Sequence, residues 1–256
     1  MRRALVLVAL ATPIVANGHA VLRPAGGGRV LPETVAIQTA DGQMLQASFY
    51  KPGSTAAPPG VLLVHDAGGS RSQVDPLADR MSKQGFGVLT LDLRGHGASK
   101  SSKLDWEKLS ENDRKSTWAL APKDVDAAAD WLLAQPGINS TSLALVGYGA
   151  GCALAVRHAK GDENVVCMVL LAPHAEDYGF DVRADIQTLV GLPTFVATSK
   201  DAEAEKMALE ANAFSGNPYL DIVLSPPKLA TPLDDKNLPG KVLKWVGDKA
   251  MPKKGR

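Results

Sequence analysis

The run Leu145-Val146-Gly147-Tyr148-Gly149-Ala150-Gly151-Cys152 joins an apolar strand to a helix through a glycine-rich turn. Such a turn sets its middle residue at a strand tip, with the N–H groups of the following helix facing outward. That geometry suits an anion or a developing oxyanion. Acyl transfer at such a tip needs a nucleophile, an imidazole to take its proton, and a carboxylate to hold the imidazole. The tip residue here is Gly149, which has no side chain to attack with. Asp201, in Ser199-Lys200-Asp201 after an apolar strand, fits the N-cap of a helix starting at Ala202.

Two more strand ends carry motifs. Residues 61–64 run into His65-Asp66-Ala67-Gly68-Gly69, and residues 88–91 into Asp92-Leu93-Arg94-Gly95-His96-Gly97-Ala98-Ser99. In this order the three sites resemble the α/β-hydrolase superfamily, in its dienelactone hydrolase and serine aminopeptidase-like esterase branch. The first is similar to the His-Gly-x-Gly-Gly loop that supplies half an oxyanion hole. The second resembles the D-x-R-G-H-G-x-S turn, and the third the Gly-x-Ser-x-Gly nucleophile elbow. The resemblance spans roughly residues 35–246. It implies a three-layer α/β fold, a mostly parallel sheet of about eight strands with helices on both faces.

The resemblance also implies a serine at 149, an acid at Asp201 and a histidine just after the last strand. The chain departs from this twice. Position 149 is glycine, and the stretch after the last strand reads Ser225-Pro226-Pro227-Lys228-Leu229-Ala230-Thr231-Pro232-Leu233. All five histidines (His19, His65, His96, His158, His174) precede Asp201. No catalytic set is intact, so serine-type hydrolysis is expected to be lost. The N–H groups of Ala67 and Ala150, with His65, Asp66, Tyr148 and His174 around them, would form a pocket that binds a carboxylate or carbonyl without cleaving it. The expected function is binding of a small molecule or a protein partner through the former active-site cleft. The alternative is an ester or amide hydrolase with a displaced nucleophile.

Other chemistries have thinner support. Cys152 falls on the first helical turn and points elsewhere, Ser70 lies past the oxyanion loop, and Tyr148 packs or lines the pocket. His65, Asp66, Asp92, His96 and His174 gather at one sheet edge but lack metal-ligand spacings such as His-x-x-x-His, so no metal is expected. The run 147–151 mimics a dinucleotide fingerprint, yet Cys152 stands where that pattern wants glycine or alanine. No cofactor is expected.

The elements follow from apolar runs alternating with helix-period segments. Strands are expected at 34–39 and 44–50, joined by the turn Asp41-Gly42, and at 61–64, 87–91, 142–146, 165–171, 194–198 and 220–224. Helices are expected at 76–84, 123–133, 150–158, 202–213 and 240–249. The polar stretch 94–121, holding Trp106 and Trp118, reads either as a lid or as an excursion pinned by its tryptophans.

Residues 1–20 read as a secretory signal: Arg2 and Arg3, an apolar run to Ala16, and small residues at Gly18-His19-Ala20. An uncleaved anchor is the alternative; the run is short for a membrane span. Residues 21–256 would then be a single domain, secreted or periplasmic, with no membrane contact beyond the signal. Removing Arg2 and Arg3 takes the basic residues from 28 to 26 against 27 acidic ones, near −1. Near-neutral charge and 5% aromatic content argue against a nucleic-acid partner. Cys152 and Cys167 are expected as buried thiols rather than a bridge, because they fall at different ends of the sheet.

Overall fold

The computed structural model describes residues 31–53, 57–199, 220–225 and 234–251. Asp41-Gly42 turns strand β1 (Glu33–Gln38) back on β2 (Met44–Tyr50) as an antiparallel hairpin. Then β3 (Pro59–Val64), β4 (Gly87–Asp92), β5 (Asn139–Tyr148), β6 (Val165–Leu171), β9 (Thr194–Ser199) and β10 (Leu220–Ser225) follow. Among the described residues they form one eight-stranded sheet, ordered β1-β2-β4-β3-β5-β6-β9-β10. Pairing is antiparallel from β1 to β4 and parallel from there on. A short hairpin, β7 (Glu176–Asp177) with β8 (Phe180–Asp181), lies outside it.

The central strands are apolar on both faces because helices cover both. Leu62, Val64, Leu143 and Leu145 pack on one side with α3 (Pro122–Leu133) and α4 (Gly151–Ala159). Val61, Leu63, Ala144 and Val146 pack on the other with α1 (Asp75–Lys83) and α6 (Leu238–Ala250). This is the three-layer arrangement the alternation predicts.

Two stretches carry structure that the apolar pattern does not announce. The expected loop 94–121 contains helix α2 (Glu111–Leu120), which buries only Trp118 and so has almost no apolar stripe. Its start is written in the sequence all the same: the Ser110 hydroxyl caps the helix by accepting from Asp113 N at 3.2 Å. Residues 172–193 fold into the β7–β8 hairpin and helix α5 (Val182–Gln187), capped by Asp181. The signal at residues 1–20, the helix at 202–213 and Asp201 lie outside the described residues.

Candidate active site

The site is built where β5 turns into α4. Gly149 sits at the tip with φ +56°, the left-handed region that side chains avoid, and its N–H donates to Leu171 O at 2.9 Å. Gly151 lets α4 press against the end of β3: a Cβ there would lie 2.4 Å from His65 O.

The loop after β3 is held from below by two neutral histidines. His65 is fully buried; its Nδ1–H donates to Asp66 O (2.6 Å) and its Nε2 accepts from Leu93 N (3.0 Å). Burial depresses its pKa to about 4. His96 repeats the pattern, donating from Nδ1 to Arg94 O (2.9 Å) and accepting from Gly68 N (3.0 Å). Both nitrogens of each ring are committed to backbone, so neither is available to a metal or a substrate. The expectation that His65 lines the pocket is thereby corrected: it ties strand ends together beneath it. Tyr148 takes the packing alternative: it is buried in the core cluster on the α1 and α6 side.

Asp66 turns inward. Its Oδ1 accepts from Ala150 N (2.7 Å) and from Ala67 N (2.8 Å). The carboxyl group lies directly over Gly149: a Cβ at that position would come within 2.3 Å of both its Cγ and Oδ1. Asp66 therefore fills the side-chain space above the strand tip and also takes both N–H groups beside it. The expected open anion pocket is corrected on this point, since the chain supplies its own anion, and glycine at 149 is what makes room for it. Burial raises the Asp66 pKa; the two N–H groups and His174 oppose that rise, and Asp177 adds to it.

Above this floor stands a histidine–aspartate pair. Carboxylates only accept, so His174 Nδ1 is the protonated nitrogen, donating to Asp177 Oδ1 (3.0 Å) and Oδ2 (3.2 Å). That bond, chiefly, raises the His174 pKa. Its side chain is 56% exposed and that of Asp177 only 10%. Ala172 (φ +52°) and Tyr178 (φ +47°) flank the pair. Among the described residues these are the non-glycine positions in the left-handed region. Tyr178 packs on Trp106 and Trp118, so both tryptophans of the 94–121 segment are buried beside the site. His174 was legible in the sequence as a candidate, whereas its pairing with Asp177 is signalled there only by the His-x-x-Asp spacing after β6.

The remaining polar residues brace the site. Asp92 accepts from Arg71 N and Ala98 N, both at 2.8 Å. Arg94 bonds Asp124 through Nε (2.9 Å) and Nη2 (2.7 Å), and reaches Asp41 at 3.0 Å. Cys152 and Cys167 are free and buried, and burial raises both thiol pKa values, that of Cys167 to about 12. Among the described residues no three His, Cys, Asp or Glu side chains converge to hold a metal.

Residues 61–250 match a family model described as the alpha/beta hydrolase family. The chain belongs to that family. Among solved family folds, it superposes on the esterase Pf2001 of Pyrococcus furiosus with a TM-score of 0.66 at 17% identity, covering 86% of this chain and 93% of that one. It superposes on the dienelactone hydrolase of Anabaena variabilis with a TM-score of 0.70 at 16% identity, covering 87% and 100%. A sequence relative, uncharacterized protein MT2364 of Mycobacterium tuberculosis, is 31% identical over 129 residues, which are 50% of this chain. The match spans 41% of that relative's length.

Proposed function

We propose that this hydrolase-family chain no longer carries out serine-type ester or amide hydrolysis, and that the cleft over Gly149 binds a small molecule or a protein partner. By its first twenty residues it would do so in a secreted or periplasmic compartment. The observation that carries this reading is the Asp66 carboxylate over Gly149. An acyl substrate needs a nucleophile at the tip and two free N–H donors for its oxyanion. Here the first is missing and the second are occupied. The named activities of the esterase and dienelactone hydrolase neighbours are therefore not carried over to this chain, although their fold is.

A second reading, hydrolysis through a displaced nucleophile, has the His174–Asp177 pair in its favour. Cys152 does not serve it, because its thiol is buried and donates to Leu171 O (3.5 Å). A fluorophosphonate probe separates the readings. Purified protein is expected to show no serine labelling and no hydrolysis of short p-nitrophenyl esters above background. Stoichiometric labelling of one serine, with ester turnover abolished by its substitution, would overturn the proposal.

A further inference from the structure

His158 sits near the C-terminal end of α4, and its side chain is only 8% exposed. Each ring nitrogen faces a carboxylate oxygen. Nδ1 lies 2.7 Å from Asp126 Oδ1, on α3, and Nε2 lies 3.1 Å from Asp162 Oδ2, in the turn after α4. An ionised carboxylate only accepts, so both nitrogens must donate, and a ring that donates from both is an imidazolium. A neutral ring would set one bare lone pair against a carboxylate oxygen. His65 and His96 make the contrast, since each donates from one nitrogen and accepts on the other.

The surroundings suit a cation. Burial of the ring opposes its charge, but the bonds and charges of Asp126 and Asp162 outweigh burial and raise the pKa above the ordinary 6.5. A positive charge in the last turn of a helix also meets the negative end of the helix dipole. α4 packs against α3, α5 and the sheet. The strands beneath it present apolar Leu145, Met168 and Leu170. From α5, Asp185 is taken by Lys160, so the charges acting on the ring are those of Asp126 and Asp162.

The two carboxylates are not equivalent. Asp162 Oδ1 accepts from N and Nδ2 of Asn164, both at 2.8 Å, which holds Oδ2 towards the ring. The Asp126 side chain is 58% exposed, so water can replace the ring as its partner. A ring that has lost one proton can donate to one carboxylate only. It keeps the pinned Asp162 and gives up Asp126, and the bond given up is the one that crosses between helices.

We infer that His158 is an imidazolium latch fastening the C-terminal end of α4 to α3, and that loss of its proton as pH rises unfastens that end. The folded pKa lies above the unfolded one, so the contribution of the latch is complete below about pH 6.5 and is lost as pH rises through the folded value. The sign is opposite to that of His65, whose folded pKa is depressed.

Ring ¹⁵N shifts of the whole protein, followed from acid to alkaline pH, test the charge. At neutral pH His158 should carry two protonated nitrogens and His65 one, and the His158 midpoint should lie above 6.5. Hydrogen exchange tests the latch. The amides of Lys160 and Gly161 bond Val156 O and His158 O at the end of α4. Their protection, taken relative to amides of β5, should fall by about tenfold across the His158 midpoint. In Asp126→Asn, a change at an exposed position that keeps the shape, midpoint and step should move together to lower pH. In His158→Gln the step should vanish. A bare nitrogen on His158 at neutral pH, constant protection across its midpoint, or a step that stays unshifted in Asp126→Asn would overturn the inference.

Discussion

A methyl group on residue 149 would land 2.3 Å from the Asp66 carboxyl carbon, on a backbone whose φ of +56° already disfavours any side chain. The missing hydroxyl and the inward carboxylate are thus two halves of one exchange. Gly149→Ser is expected to destabilise the protein by roughly 2–3 kcal/mol, from left-handed strain plus the clash. Asp66→Gly in the same chain removes the clash, so the double variant should be less damaged than the two singles summed, by about 1 kcal/mol or more. Urea unfolding of the four proteins measures this, and additivity within about 0.5 kcal/mol would contradict the coupling. Half of the exchange was legible in the sequence, where glycine replaces an expected serine. The other half was not, because Asp66 and Ala150 stand 84 residues apart and meet only when β3 and β5 pair.

At the scale of elements, the strand ends are fixed by buried polar groups rather than by more apolar packing. Arg94 lies between Asp124, which is fully buried, and Asp41 at the β1–β2 turn. Arg94→Met would leave the Asp124 charge buried without its partner and should cost about 3–5 kcal/mol in unfolding free energy. A loss below about 1 kcal/mol would show that the ion pair does not brace this edge. His65 sets a pH signature. Its pKa lies near 4 in the fold against 6.5 unperturbed, so only the unfolded chain takes up a proton between those values. Stability should therefore fall as pH drops from 6.5 towards 4, by roughly 3 kcal/mol for this group. Burial lowers the His96 pKa too, which adds in the same direction. Measured against His65→Gln, the wild type should show the steeper acid loss, and equal slopes would contradict the assignment. Most strands were legible because both faces of the sheet are covered and their runs are unbroken. Helix α2 was not, since it buries only Trp118, although its Ser110 cap could have announced it.

For the whole molecule, fold and chemistry separate. Sheet order and layers match solved hydrolases at 16–17% identity, because alternating apolar runs and a few close glycines are enough to specify them. The site needs single side chains in single places, and there this chain differs. Among the described residues no helix is long and apolar enough to cross a membrane. The loss of serine chemistry at this site turns on the Asp66 carboxylate resting on the N–H groups of Ala67 and Ala150. The amide proton shifts of those two residues report it directly. Followed by NMR from neutral to acid pH, both should titrate together with one midpoint above the usual carboxylate value of 3.8, and both should lose that titration in Asp66→Asn. Amide shifts that titrate independently, or that keep their pH dependence in Asp66→Asn, would contradict the account.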